Sequence, residues 1–270
     1  MPKILGIKKG RNKYTVTVEN NEILNFRVSE DFLVENNILK AKEISLEEYS
    51  NFLKLVTLDD LYQKCLKYVL MKQRTKLEIT AYLKKYGLNK QDEKFIIDKL
   101  NLLGLIDDKR YAHDYIYERI NFHFEGYEKI KFELINKGIE EELINKVYVM
   151  LAHEEETIEK IIRGDDGRFF KGAKQAYHDF ILKKVINKGF NYNIASNLID
   201  KYISYENISE DKNLNKELMK LKRQYQGRYD SFELNDKIIK SLLKKGYRYQ
   251  NIREEMEKGN EDKWFWSVFI

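Results

Sequence analysis

The chain has 270 residues, with 49 basic and 44 acidic side chains and a formal net charge of +5, a mild excess that permits contact with nucleic acid or an acidic protein without demanding it. Its 43% hydrophobic residues can build cores, while 34% charged residues and a mean hydropathy of −0.62 suit thin, well-solvated layers. No apolar run approaches the ~18 residues of a membrane span, and the single cysteine, Cys65, excludes an intrachain disulfide and suits a reducing cytosol. The N-terminus lacks the continuous apolar stretch of a signal peptide, and a cytoplasmic location is expected.

In chain order, residues 3–9, 12–19 and 22–28 read as strands. YTVTV alternates, and Asn20-Asn21 is the turn between two β-rich runs. Two short helices are expected over Phe32–Asn37 and Leu46–Val56. Residues 1–58 thus form a β-rich extension docked on the first helices of the remaining chain. From Asp59 the chain reads as helix throughout. The only proline is Pro2, so no helix is broken by one.

A repeat organises this helical region. Aligned on a glycine, the chain reads TAYLKKYGL at Gly87, FELINKGI at Gly138, KKVINKGF at Gly189 and KSLLKKGY at Gly246, in steps of 51, 51 and 57 residues. Eight residues before each glycine stands Ile79, Ile130, Ile181 or Ile238. Four before it stands Leu83, Leu134, Val185 or Leu242, which makes one buried helical face. The glycine is the expected left-handed C-cap. Three helices per repeat are expected: 59–72, 75–86 and 90–103; 108–123, 127–137 and 140–153; 155–163, 168–188 and 191–204; 211–226, 231–245 and 248–258. The domains are then 59–106, 107–153, 154–206 and 207–270, the last including the apolar tail WFWSVFI, expected to pack on the final helices. Residues 204–212 are the best linker. The expected fold is mainly α: tandem three-helix repeats forming an elongated, curved, monomeric array with a small N-terminal β segment.

Catalytic motifs are missing: the chain has no P-loop, no GxSxG and no HExxH. His113, His123, His153 and His178 have no partner at metal-ligand spacing, so neither metal nor cofactor is expected. Asp107-Asp108 could be a carboxylate pair, but Asp107 as helix cap and Asp108 in the first turn explain it better. Asp165-Asp166 between glycines could bind a cation, but a polar loop explains it better. Lys84, Lys85, Lys137, Lys183, Lys184, Lys188, Lys244 and Lys245 fall at corresponding helix ends. Dipole compensation is their ordinary role, and stacking of the repeats could also line one face with them.

The stretch LGLIDDKRYAHDYIYERI, followed by GYEKIKFELINKGI and NKGFNYNIASNLI, resembles the RecX family of bacterial recombination regulators. The match is most specific over Gly104–Ile139, with its Gly-x-Ile-Asp-Asp, Tyr-Ala, glycine and Leu-x-x-Lys-Gly-Ile elements, and extends over about 59–203. The strand segment and fourth repeat resemble the longer form of the family. Arg74-Thr75 leading to Glu78 is similar to the family's Arg-x-x-Ser-x-x-Glu-Leu opening, although Thr75 follows Arg74 at once and Ile79 replaces leucine. The resemblance implies a non-enzymatic regulator that lies in the groove of the RecA–DNA filament and inhibits recombinase, ATPase and co-protease activities. Single- or double-stranded DNA is a further candidate partner, and the competing reading is a helical-repeat nucleic-acid-binding module acting without RecA. Candidate partner-binding residues are Lys84, Lys85, Lys137, Lys183, Lys184 and Lys188 at the helix ends, with Arg110, Tyr111 and Arg119 in the most specific stretch.

Overall fold

In the computed structural model, residues 1–38, 40 and 42–267 are described, with side chains from Gly259 onward and at Ser231 left aside. The described residues form one three-stranded antiparallel sheet and thirteen helices. They fall into two compact units, Met1–Tyr115 with Leu134–Asn145, and Ile116–Glu133 with Lys146–Ile270.

In the first unit, β1 (Lys3–Lys9), β2 (Tyr14–Asn20) and β3 (Glu22–Val28) pair in sequence order. Asn21 makes the tight turn between β2 and β3 at φ 63°, a conformation asparagine tolerates. The sheet and α1 (Glu30–Glu35) close over the first half of α2 (Leu46–Met71), burying Ile4, Val16, Val18, Val28, Phe32 and Phe52. Phe52 meets Phe26 and Phe32 edge-on, with ring centroids 5.4 and 5.9 Å apart.

The expected helix break near residue 58, and with it the boundary between residues 58 and 59, falls inside the unbroken α2. The Thr57-Leu-Asp-Asp stretch has the composition of a helix start. In the structure Asp59 is buried in mid-helix, where its carboxylate accepts from Ser29 N at 2.8 Å and Ser29 Oγ at 2.6 Å. Ser29 in turn caps α1 by accepting from Phe32 N. A distant hydrogen bond thus uses the polar residue that resembles a cap. The second half of α2 packs with α3 (Lys76–Lys84) and α4 (Lys90–Leu102) around Leu61, Cys65, Ile79, Leu83, Ile96 and Leu100. Helices α5 (Asp108–His123), α6 (Tyr127–Asn136) and α7 (Glu141–Leu151) contribute residues to both units.

In the second unit, α8 (Glu154–Arg163), α9 (Lys174–Asn187) and α10 (Tyr192–Tyr202) enclose Ile158, Ile162, Tyr177, Ile181 and Ile199. Helix α9 starts at Lys174 rather than 168. Asp165 and Asp166 instead fold the preceding chain into a loop by accepting from Gly167 N and Arg168 N. Burial raises the Asp165 carboxyl, but the Lys184 ammonium 3.0 Å away and hydrogen bonds from Gly167 and Tyr177 outweigh it and hold the group below the usual range. The expected linker near 204–212 is packed, with Ile208 buried in this core. Helices α11 (Glu210–Tyr225), α12 (Ser231–Lys244) and α13 (Tyr249–Ser267) form the last cluster around Leu214, Leu218, Ile238, Leu242 and Ile252. Residues 268–270 and the side chains of the WFWSVFI segment lie outside the described set, and its packing with them.

The repeat glycines all take the left-handed conformation, at φ 68° (Gly87), 80° (Gly138), 92° (Gly189) and 85° (Gly246). The residue after Gly138 and after Gly246 donates back across the last turn, Ile139 N to Leu134 O and Tyr247 N to Leu242 O, the helix-ending loop expected of such caps. Three of the four glycines also lie against the start of the second helix of the preceding repeat. A Cβ on Gly138 would meet Leu77 in α3, one on Gly189 would meet Lys129 in α6, and one on Gly246 would meet Gln175 and Ala176 in α9. Hydrogen bonds accompany these joins. Thr75 Oγ1 donates to Lys137 O at 2.7 Å, and Gly126 N and Glu128 N donate to Lys188 O and Gly189 O at 2.8 and 3.0 Å. The leftover carbonyls of one helix end thus satisfy the leftover amides of another's start, with opposite dipole ends facing.

Candidate partner-binding site

In the first unit the Asp107-Asp108 pair is structural. Asp107 Oδ1 accepts from Arg110 N at 2.9 Å, capping its own helix, while Asp108 Oδ1 accepts from Lys76 N at 2.9 Å and caps α3. Thr75 and Glu78 complete that helix start as a reciprocal capping box. The first residue of α11, Glu210, does the same for α9 by accepting from Lys174 N at 3.0 Å. Acidic helix starts therefore serve the preceding repeat, which reading each helix alone does not reveal.

Arg110 is exposed at the first turn of α5, with Asp114 3.8 Å from its Nε. The Gln73 amide, with help from His113 and Arg110, holds the Asp114 carboxyl below its usual range. Tyr111 is buried and stacks on Tyr115 at 6.0 Å. Lys137 lies 5.6 Å from the Tyr111 ring centre and 3.4 Å from Glu78 Oε1. Burial pulls its ammonium down, but Tyr111 and Glu78 outweigh that and hold it above the ordinary lysine value. Lys137 and Tyr111 are thus brought together, as parts of the join at Gly138. Lys84 and Lys85 are exposed at the end of α3.

A cleft between the end of α2 and the start of α5 has Gln73, Arg74, Asp107, Arg110 and Tyr111 among its walls. Arg74 stacks on Tyr68, its guanidinium carbon 4.2 Å from the ring centre. Leu70 lines the cleft and is exposed, as are its neighbour Met71 and, just before the cleft's Gly104, Leu102 and Leu103. Sequence reasoning missed these apolar residues. Their signal was the continuation of an apolar run past the last buried position of each helix.

In the second unit, Arg119 faces the buried Glu125 at 3.7 Å and Glu133 at 3.6 Å, and Lys129 binds Glu125 at 2.7 Å. Lys188 Nζ donates to His123 O at 2.7 Å, at the last turn of α5. Lys184 is held by Asp165, while Lys183 is exposed. Of the candidate cations, Lys137, Lys184, Lys188 and Arg119 are therefore committed to internal contacts. Lys84, Lys85, Arg110 and Lys183 present their charge to solvent.

Comparison with known proteins bears on the whole chain. Residues 107–147, which hold α5, α6 and most of α7, match the family model described as RecX, second three-helix domain. A regulatory protein RecX of Streptococcus agalactiae is 28% identical over 260 residues, covering 95% of this chain and 99% of the relative. A regulatory protein RecX of Lactococcus lactis subsp. cremoris is 28% identical, with 93% and 96% covered. A solved crystal structure of regulatory protein RecX superposes with a TM-score of 0.62 at 22% identity, covering 74% of this chain and all of that one. RecX from Lactobacillus salivarius gives 0.50 at 24% identity over 54% of this chain. With the repeat helices, their glycine joins and the Gly104–Ile139 stretch all in place, the chain is similar to proteins named regulatory protein RecX along nearly its whole length.

Proposed function

We propose that this protein is a regulator that binds the RecA nucleoprotein filament and inhibits the recombinase, ATPase and co-protease activities of RecA. It acts as a cytoplasmic monomer in recombinational repair and the SOS response. The observation that carries this reading is the match to proteins named regulatory protein RecX along nearly the full length of both chains. The relatives' name is regulatory rather than enzymatic, in keeping with a chain read as having no catalytic residues. Its recognition residues are Lys84, Lys85 and Arg110 in the first unit and, separately, Lys183 in the second, all exposed to a polyanionic filament, whereas Lys137, Lys184, Lys188 and Arg119 support the fold.

The test is a titration of RecA's DNA-dependent ATPase with this protein. Inhibition is expected well below one regulator per RecA. Lys84→Glu, Lys85→Glu and Arg110→Glu together should weaken it strongly, most at low salt, because a polyanion responds to the summed field of several charges. Lys94→Glu, an exposed charge on α4, is the control. An unaltered ATPase at equimolar regulator would overturn the reading. Tight, steeply salt-dependent binding to naked DNA in that same case would favour the independent nucleic-acid module instead.

A further inference from the structure

The two edges of the N-terminal sheet differ. The β1 edge is irregular and partly covered. Its pairing with β2 shifts register between Ile4 and Gly6, and the chain around residues 42–44 returns to it, with Ile4 N donating to Lys42 O and Ile44 N to Pro2 O. The β3 edge has neither device. Its seven pairs with β2 run from Tyr14–Val28 to Asn20–Glu22 without a bulge, and no other backbone hydrogen bond to Glu22–Val28 occurs among the described residues. A straight, unpaired edge is a template for a further strand, and proteins ordinarily blunt one.

A cleft runs beside this edge. Phe26, Val56, Leu61 and Tyr86 give it apolar walls, and Arg27 and Lys64 stand on its rim. The charge there is positive. Lys13 and Lys64 share the single carboxylate of Asp60, at 3.1 and 2.9 Å, and Arg27 is exposed with no ion-pair partner among the described residues. Register places Lys8 opposite Thr15 and Thr15 opposite Arg27, so both cations lie on the same outer face of the sheet.

We propose that the open edge of β3 takes up an extended acidic segment of a partner protein as a fourth strand. Main-chain hydrogen bonds would hold the segment. Its alternate side chains would face the apolar cleft on one side and the Arg27–Lys8 face on the other, so the fitting pattern alternates apolar and acidic residues.

The probe is a fluorescein-labelled eight-residue peptide alternating valine and glutamate, titrated against the full chain by fluorescence anisotropy. Saturable binding is expected, at least about tenfold weaker for Arg27→Glu and intermediate for Arg27→Gln, with unchanged circular dichroism. A valine–lysine peptide should not bind. Amide deuterium exchange should slow along β3 on adding the acidic peptide. Absence of saturable binding, equal affinity for the lysine peptide, or undiminished affinity of both Arg27 variants overturns the proposal. So does a concentration-dependent dimer in sedimentation whose β3 amides are protected without peptide, because a second copy would then occupy the edge.

Discussion

Gly87 and Gly189 hold the same place in the repeat and the same left-handed backbone, yet they answer different demands. A Cβ on Gly87 would meet nothing within 4 Å, whereas one on Gly189 would lie 2.5 Å from Lys129 Cβ and 2.6 Å from Lys129 N. The first glycine is there for its conformation alone. The second is there for conformation and for room, because α6 begins directly against it. Gly138 is intermediate, since its neighbour is the Leu77 side chain at 2.7 Å rather than backbone. A recurrent glycine in a repeat is therefore one signature with two physical meanings, and only contacts to the preceding repeat separate them.

Substitutions can break or sharpen this contrast. Gly189→Ala combines left-handed strain with a backbone clash and should destabilise the second unit by about 3–5 kcal/mol, read as the midpoint shift in chemical denaturation. No side-chain truncation at Lys129 should rescue it, since the amide nitrogen itself is in the way. Gly138→Val should cost about 2–4 kcal/mol, and Leu77→Ala should recover part of that loss in a double-mutant cycle. A cycle that proves additive would mean that only the Leu77 Cβ, which alanine keeps, and not the rest of its side chain, is what Gly138 makes room for. Asp108→Ala removes the acceptor for Lys76 N at that same join and should cost about 1 kcal/mol. A melting temperature equal to wild type would show that Thr75 and Glu78 cap α3 unaided. Gly87→Ala should be among the mildest of the series, at about 1 kcal/mol of conformational strain. If it equals Gly189→Ala, room is not what distinguishes the two sites.

Much of the fold was readable from spacing, because an amphipathic helix writes its buried face into adjacent turns. Ile79, Ile130, Ile181 and Ile238, with Leu83, Leu134, Val185 and Leu242, are all fully buried. Reading failed where a local signature had a distant purpose. Asp59 resembled a helix start but serves Ser29 across 30 residues, and the Asp-Asp-Gly loop displaced the start of α9. The candidate site was less legible for the same reason. Lysines at matching helix ends look equivalent, yet Lys188 caps α5 and Lys137 packs on Tyr111, while Lys84 and Lys85 remain in solvent. Gly126 was visible only as a turn. Its need to be glycine comes from the Gly189 carbonyl oxygen, which would lie 2.6 Å from a Cβ.

The joins between helix ends and helix starts also set a timetable for the nascent chain. Thr75 waits for a partner sixty-two residues downstream, and the amide of Gly126 waits the same distance for Lys188. At roughly 5–20 residues per second, the ribosome imposes a delay of about 3–12 seconds before each join can close, longer once the exit tunnel is counted. In the first three repeats part of the start of the second helix, including the amides of Lys76, Gly126 and Lys174, stays bonded to water until the next repeat supplies its acceptor. In the fourth repeat Asp230 accepts from Phe232 N and Glu233 N and closes the start of α12 with its own side chain.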